Sequence, residues 1–152
     1  MEKIQFGKFL TKDSIVVLHN SKDKKSAFDA LVARVADLAH LDRDVVSRLV
    51  WKRENMMPTG VGQGLGLPHI RVERMDDPVI LVGVCDKPIT DYVTQDGEPV
   101  QVIVFIAADD SKQEDYLSLL SSVSNKMRNS ELIAEILENK SDTDRILKML
   151  QD

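Results

Sequence analysis

The sequence predicts a single α/β domain over residues 1–152, a sandwich in which helices flank a mixed central β-sheet. The segments 79–85 and 100–107 are runs of apolar, largely β-branched residues, as is typical of buried strands. Between them, the Asp-Gly pair at 96–97 indicates a tight turn, and 92–94 is a candidate short strand. Segments before and after these strands carry apolar residues three and four positions apart, which indicates amphipathic helices. Helices and buried strands in this order favour one shared core.

The N-terminal part of the chain is predicted to contain one strand and two helices. Residues 15–18 are β-branched and apolar and favour a strand. Ser21 or Asp23 is a suitable N-cap for the helix that follows, and Asp42 is a suitable cap for a second helix that ends near Arg53. The apolar positions of the two helices are Phe28, Leu31, Val35 and Leu38 in the first and Val45, Val46, Leu49 and Val50 in the second.

The C-terminal part of the chain is predicted to form three helices. Ser111 and Glu114, three residues apart, fit a capping box at the start of the first of them. Ser130 is the expected cap of the next helix, and Ser141 with Asp144 of the last. The apolar positions are Leu117, Leu120 and Met127, then Leu132, Ile133, Ile136 and Leu137, then Ile146, Leu147 and Leu150.

Composition and charge exclude several classes of function. A formal net charge of −5 argues against general nucleic-acid binding, which depends on clustered lysine and arginine. No apolar run approaches the roughly 20 residues that span a bilayer, so we expect no membrane span. The N-terminus lacks the pattern of a secretory signal, and a cytoplasmic location is the expectation. Cys85 is the single cysteine and lies in an apolar run, which favours a buried residue over a nucleophile.

Residues 60–69 are the most informative stretch, because they hold four of the seven glycines directly before Pro68 and His69. Glycine is favoured where the backbone turns sharply or approaches another group closely. Pro68 fixes its own φ and biases Leu67 toward an extended conformation, so His69 should follow a stiff, strand-like segment. Two interpretations remain open. The stretch is either a turn that ends in an ordinary, partly buried histidine or an anion site built from an imidazole and exposed amides.

Nucleotide and metal sites fit the spacing poorly. Leu65 and Leu67 stand where a dinucleotide-binding fingerprint requires its third glycine, and no Gly-Lys-Ser/Thr of a triphosphate loop follows. The three histidines, His19, His40 and His69, are scattered and form no pair with metal-ligand spacing. We therefore expect neither a metal nor an organic cofactor.

Nucleophilic catalysis by His69 fits better, because neutral imidazole offers a lone pair near physiological pH. A phosphoryl group arriving at this ring brings negative charge and requires donors held in place beforehand. The candidate donors are the hydroxyl of Thr59, the amides around Gly60, Gly62 and Gly64, and the guanidinium groups of Arg53 and Arg71. The alternative for the arginines is a surface ion pair, for example between Arg71 and Glu73.

Residues 53–69 resemble the signature of the fructose/mannitol-type IIA domains of the bacterial phosphoenolpyruvate-dependent sugar phosphotransferase system, including their nitrogen-regulatory relatives. That signature reads Arg-Glu, a short spacer, then Thr-Gly-x-Gly-x-Gly-x-Ala-x-Pro-His. The resemblance implies the mannitol-type IIA fold. It also implies that His69 accepts a phosphoryl group from a histidine-containing phosphocarrier protein, and that Arg53 is the arginine beside the active histidine. The group would then pass to a IIB domain or serve as a signal to a regulatory target.

The chain departs from the family pattern near the start of the helix predicted after Ser111. Many family members carry a second active-site histidine there, and this chain has Tyr116. A phenol donates a hydrogen bond but supplies no imidazolium near neutral pH. Smaller departures are Gly66 for alanine and Pro58 for serine. These differences keep a second hypothesis open, a protein-binding regulatory module that retains the fold without carrying a phosphoryl group.

Overall fold

The computed structural model describes residues 5–151, which form a six-stranded mixed β-sheet with helices on both faces. The strands are β1 (Ile15–Leu18), β2 (Gly60–Gly62), β3 (Leu65–Gly66), β4 (His69–Val72), β5 (Val79–Ile89) and β6 (Val100–Asp109). The helices are α1 (Lys24–Ala39), α2 (Arg43–Met56), α3 (Gln113–Met127), α4 (Ser130–Glu138) and α5 (Thr143–Gln151). Within the described residues, no helix combines the length and apolar content that crossing a bilayer requires.

Strand β6 organises the sheet, because it pairs with β5 on one side and with both β3 and β4 on the other. The β5–β6 pairing is antiparallel, whereas β1 pairs with β5, and β3 and β4 pair with β6, in parallel. Along β6, Leu65 lies opposite Val102 and His69 lies opposite Ile106. The predicted mixed sheet is confirmed, and His69 opens the short strand β4 beside β6.

Each face of the sheet buries its own apolar core, as the side-chain alternation of a strand requires. On β6, Val102, Val104 and Ile106 pack with α3, α4 and α5, whereas Ile103, Phe105 and Ala107 pack with α1 and α2. Cys85 is also buried, and burial raises its pKa to about 12, which fits a core residue rather than a nucleophile.

The N-terminal helices begin where the sequence predicts. The Asp23 side chain accepts from the amide of Ser26 at 2.8 Å, and the Ser26 hydroxyl completes a reciprocal cap. Asp42 accepts from the amide of Asp44 at 2.7 Å. Helix α2 continues past Arg53, so this arginine lies in its last turn.

The capping box predicted for the third helix is wrong. Ser111 donates to the Asp109 carboxylate through its amide, at 2.7 Å, and through its hydroxyl, and α3 begins two residues later. The side chain of Leu117, expected in the core, is 50% exposed. The buried face of α3 consists of Tyr116, Leu119, Val123 and Met127.

The caps of the last two helices lie one residue away from those predicted. The Asn129 side chain, rather than that of Ser130, accepts from two amides at the start of α4, at 3.0 and 3.2 Å. At α5, the Asp142 side chain, rather than that of Ser141, accepts from the amide of Arg145 at 3.2 Å. Adjacent residues with equal capping ability cannot be ranked by local pattern alone.

The short strand predicted over residues 92–94 is also wrong, because Thr94 makes only an isolated bridge to Gly60. The predicted turn is present one residue earlier than expected, with the Gly97 amide donating to the Thr94 carbonyl at 3.4 Å.

Candidate functional site

His69 is held at the start of β4 by its own backbone. The chain enters this strand through Leu67 and Pro68, and the Nδ1 atom of His69 lies 2.7 Å from the carbonyl oxygen of Leu67. A carbonyl oxygen only accepts, so Nδ1 carries the proton in this hydrogen bond. In neutral imidazole the other nitrogen, Nε2, then carries no proton and keeps its lone pair as an acceptor.

Arg53 approaches that free nitrogen from the last turn of α2. Its Nε atom donates to Nε2 of His69 at 3.3 Å, and its Nη1 atom donates to the carbonyl of Met57 at 2.9 Å. Burial, and secondarily the Arg53 charge, lower the pKa of His69 below its ordinary value, against an opposing effect of the Leu67 hydrogen bond. The ring is therefore neutral at neutral pH.

Arg71 and Tyr116 complete the surroundings of the imidazole. Arg71 is two residues beyond His69 on β4, so both side chains leave the same face of the strand. Its guanidinium carbon lies 4.9 Å from the centre of the Tyr116 ring, and Nη2 donates to the Asp110 carbonyl at 2.9 Å. The Tyr116 ring centre lies 6.1 Å from that of His69, and burial raises the pKa of the phenol to about 12.

The imidazole opens onto a shallow depression of about 440 Å³ between α2, β4 and the start of α3. Two arginines, Arg53 and Arg71, contribute to its lining together with Lys52. Met56, which lines the depression, is 77% exposed, and the next residue along the chain, Met57, is 65% exposed. A surface of this shape admits the side chain of a docking protein more readily than it encloses a small molecule.

Thr59, predicted as an anion donor, is buried and has other partners. Its amide donates to Oε1 of Glu54 at 2.8 Å, and its hydroxyl donates to Oε2 of the same carboxylate at 2.7 Å. The hydroxyl also contacts the phenol oxygen of Tyr92. The Thr59 hydroxyl therefore does not point to the depression beside His69.

The predicted glycine donors are not brought to His69 either. In the hairpin of β2 and β3, Gly60 pairs with Gly66, which lies opposite Ile103 of β6, and Gly62 and Gly64 lie at the end where Leu65 is opposite Val102, whereas His69 pairs at Ile106. Three to four strand residues at about 3.3 Å each put these glycines about 10 to 13 Å from the level of His69 along β6. Steric contacts and turn geometry explain why glycine occurs at these positions.

Two kinds of constraint require glycine in this hairpin. At Gly62 and Gly64 the backbone φ angles are +103° and +81°, which side chains rarely adopt. At Gly60 and Gly66 a Cβ atom would lie 2.3 Å from the Val93 carbonyl oxygen and 2.7 Å from the Tyr92 ring. The amide of Gln63, at the tip, donates to Asp96 rather than facing an open anion site.

Glu54, Lys24 and Tyr92 are not among the site residues predicted from the sequence. The Glu54 side chain is 1% exposed and pairs with Nζ of Lys24 at 2.8 Å. The sequence holds one indication that Glu54 is buried. Val46, Val50 and Glu54 are spaced by four and so share the buried face of α2. A glutamate on such a face needs buried partners.

Comparison with known proteins agrees with the fold and the motif. Residues 8–152 match the family model described as "Phosphoenolpyruvate-dependent sugar phosphotransferase system, EIIA 2". The chain is 29% identical over 140 residues to the fructose-specific EIIABC component of the phosphotransferase system of Bacillus subtilis, covering 91% of this chain but only 22% of that protein.

Two solved structures share the fold. The nitrogen regulatory protein IIA-Ntr of Neisseria meningitidis superposes with a TM-score of 0.85 at 23% identity, covering 95% of this chain and 98% of that one. The IIA-mannitol enzyme of Escherichia coli, solved in complex with phosphorylated IIB-mannitol, superposes with a TM-score of 0.73 at 18% identity, covering 93% and 96%.

Proposed function

The chain belongs to the phosphoenolpyruvate-dependent sugar phosphotransferase system EIIA 2 family, and on that premise we propose that it carries a phosphoryl group on Nε2 of His69. The donor is a histidine-containing phosphocarrier protein. The acceptor is a IIB domain, or the phosphorylated chain itself signals to a regulatory target, and we expect this exchange to occur in the cytoplasm. The carrying observation is the unprotonated Nε2, exposed to a shallow surface beside Arg53.

The transfer step needs no proton at the attacking atom. Nε2 of His69 contributes its lone pair to the new N–P bond, while the N–P bond of the donor phosphohistidine breaks and its electron pair returns to the donor ring. The proton on Nδ1 stays in its hydrogen bond to Leu67 throughout. In-line geometry then requires that the donor ring approach through the open depression and that the Arg53 Nε–H, which donates to Nε2 at 3.3 Å, shift from Nε2 to a phosphoryl oxygen.

Charge on the phosphoryl oxygens is offset by the groups around the ring. Arg53 lies within reach of any group attached to Nε2. Arg71 has a buried Nε atom without a hydrogen-bond partner among the described residues, so part of its donor capacity is unused. Tyr116 stands where the family's second histidine is expected. With a pKa raised to about 12 it stays protonated and acts as a neutral donor.

Protein partners are supported by the surface beside the site. Met56 and Met57 are both highly exposed, follow Arg53 closely and present flexible apolar area suited to adaptable docking. Exposed large apolar side chains that flank a charged depression are typical of a protein contact.

The test is phosphorylation in a reconstituted system. The purified chain is mixed with phosphoenolpyruvate, the first enzyme of the phosphotransferase system and the phosphocarrier, and its intact mass is measured. We expect one added phosphoryl group in wild type and in His19→Gln, an exposed-histidine control, and none in His69→Gln. A wild-type chain that gains no mass would favour the alternative, a regulatory protein-binding module. A gain that persists in His69→Gln would refute the assigned site.

A further inference from the structure

Behind His69 lies a buried polar group of four residues, Lys24, Glu54, Thr59 and Tyr92, which we call the Glu54 cluster. The Glu54 carboxylate accepts from the amide and hydroxyl of Thr59 and pairs with the Lys24 ammonium at 2.8 Å. The same ammonium lies 4.5 Å from the centre of the Tyr92 ring. Every polar atom of the carboxylate is thus engaged inside the fold.

The direction of each hydrogen bond in the Glu54 cluster follows from its chemistry. Thr59 has one hydroxyl proton, and it is directed to Oε2 of Glu54. In the contact with Tyr92, the phenol must therefore donate and the Thr59 oxygen accept. Burial, followed by the Glu54 charge, raises the pKa of Tyr92 well above its ordinary value, which keeps that phenol proton in place.

Two short connections join the Glu54 cluster to the imidazole. The Thr59 carbonyl accepts from the Leu67 amide at 3.0 Å, and the Leu67 carbonyl accepts from Nδ1 of His69 at 2.7 Å. The second connection runs through the end of α2. Arg53 precedes Glu54 in the chain and donates to Met57, two residues before Thr59, at 2.9 Å.

We propose that the Glu54 cluster is a positioning unit for His69: by fixing the backbone of Thr59, it orients the Leu67 carbonyl that selects the Nδ1–H tautomer and the turn that aims Arg53 at Nε2. This inference rests on the proposed function, because the tautomer matters only if Nε2 is the attacking atom. Apolar side chains in place of the Glu54 cluster would fill the same volume behind the imidazole. It would not fix the direction of the Thr59 amide and hydroxyl, as two hydrogen bonds to one carboxylate do.

The experiment compares Thr59→Val with Thr59→Ser. Valine keeps the shape of threonine and removes only its hydroxyl function, whereas serine retains that function. Ring-nitrogen NMR shifts of ¹⁵N-histidine-labelled protein report the tautomer of His69 without any partner, and rapid-quench assays report the rate of phosphorylation at saturating donor. Ile146→Val, at a buried position of α5, is the control for a general loss of stability.

We expect wild type, Thr59→Ser and Ile146→Val to hold His69 as the Nδ1–H tautomer. Thr59→Val should populate both tautomers and lower the saturated rate about tenfold, since small misplacement of a reacting group costs rate steeply. Tyr92→Phe, which removes only the phenol oxygen, should move both readouts the same way by a smaller amount, and it decides the matter if Thr59→Val does not fold.

Two results would overturn the inference: a wild-type ring in the Nε2–H form, or hydroxyl-deleted variants that match Ile146→Val in both tautomer and rate. The NMR readout does not depend on phosphotransfer. A chain that never becomes phosphorylated but loses its tautomer preference in Thr59→Val would therefore refute the proposed function and retain the positioning role.

Discussion

The carbonyl oxygen of Leu67 lies 2.7 Å from Nδ1 of His69, only two residues along the chain. This contact means that the backbone beside the imidazole decides which ring nitrogen is free. Pro68, between the two residues, holds that backbone extended through its fixed φ. The reactive nitrogen is therefore selected by a backbone carbonyl rather than by a carboxylate bonded to the ring, and the Glu54 cluster acts on Nδ1 only through the backbone of Thr59 and Leu67.

Arg53 is predicted to stabilise the transferred group. Arg53→Met should lower the rate of phosphorylation about a hundredfold, the usual effect of removing one preorganised donor. Arg53→Lys should recover part of that loss, because an ammonium keeps the charge but not the fork of donors. Rapid-quench rates at saturating phosphocarrier measure both, with the exposed Arg48→Met on the same helix as the control. Equal rates for the two methionine variants would exclude this role.

Tyr116 is predicted to act as a neutral hydrogen-bond donor. Tyr116→Phe should lower the transfer rate about tenfold, which corresponds to about 1.4 kcal/mol for one lost charge-assisted hydrogen bond. Because the pKa of this phenol is about 12, the ratio of wild-type to variant rates should be constant between about pH 6 and about pH 9. Tyr116→His, in contrast, should make that ratio depend on pH. A Tyr116→Phe rate equal to the wild-type rate would contradict the assignment.

His69 should titrate below the ordinary histidine pKa of 6.5, mainly because its neutral form is favoured by burial. The unfolded chain then binds the proton more readily. The contribution of His69 to the free energy of unfolding is therefore fully present above pH 6.5. It is lost as the pH falls from 6.5 through the folded-state pKa of this histidine. An NMR titration gives the midpoint directly, and urea unfolding of wild type and His69→Gln compares their stability loss in acid. A midpoint above 6.5 would reverse the sign of this prediction.

Met57 is predicted to contact the phosphoryl donor. Met57→Glu should raise the KM for the phosphocarrier about tenfold and leave the saturated rate nearly unchanged, since a buried charge at a docking surface weakens binding. Val93→Glu is a matched control: Val93 is 64% exposed, against 65% for Met57, but Met57 directly follows Met56, which lines the depression over His69, whereas neither Val93 nor its chain neighbours line it. Identical KM values for the two variants would place docking elsewhere.

Gly66 is predicted to be intolerant of any side chain. In Gly66→Ala the new methyl group would lie 2.7 Å from the Tyr92 ring, and overpacking of this kind costs about 2 to 3 kcal/mol. Gly97→Ala has open space but a φ of +75°, so it should cost only about 1 kcal/mol. Urea unfolding gives both values. A larger loss of stability in Gly97→Ala than in Gly66→Ala would mean that the Tyr92 ring moves aside freely.

Periodicity predicted most of the fold because each buried face repeats with the spacing of its element. The two central strands, the first strand and all five helices follow from such patterns. Leu117 and Ser111 were assigned wrongly for separate reasons: periodicity does not say which of the adjacent residues Tyr116 and Leu117 faces the core, and the structure buries Tyr116. The Asp109 carboxylate takes the hydroxyl of Ser111 out of the cap, and the start of α3 shifts with it.

The site was predictable in part. The pairing of His69 with Arg53 agrees with the family motif, and their atoms lie within hydrogen-bond distance. The glycines predicted as donors lie away from His69, because local sequence indicates where a backbone turns but not which strand the turn lies beside. The hydrogen bonds from Thr59 to the Glu54 carboxylate form because the chain folds back on itself after α2. No rule of residue spacing predicts such a loop.

Strands β3 and β4 lie end to end along β6, joined only by Leu67 and Pro68. Side chains alternate along a strand, so inserting or deleting a single residue in this joint would exchange the places of His69 and Ile70. The isoleucine would then face solvent and the imidazole would enter the apolar core. Substitutions elsewhere are tolerated widely, as identities near 20% between superposable chains indicate. The number of residues between the two strands has no such freedom.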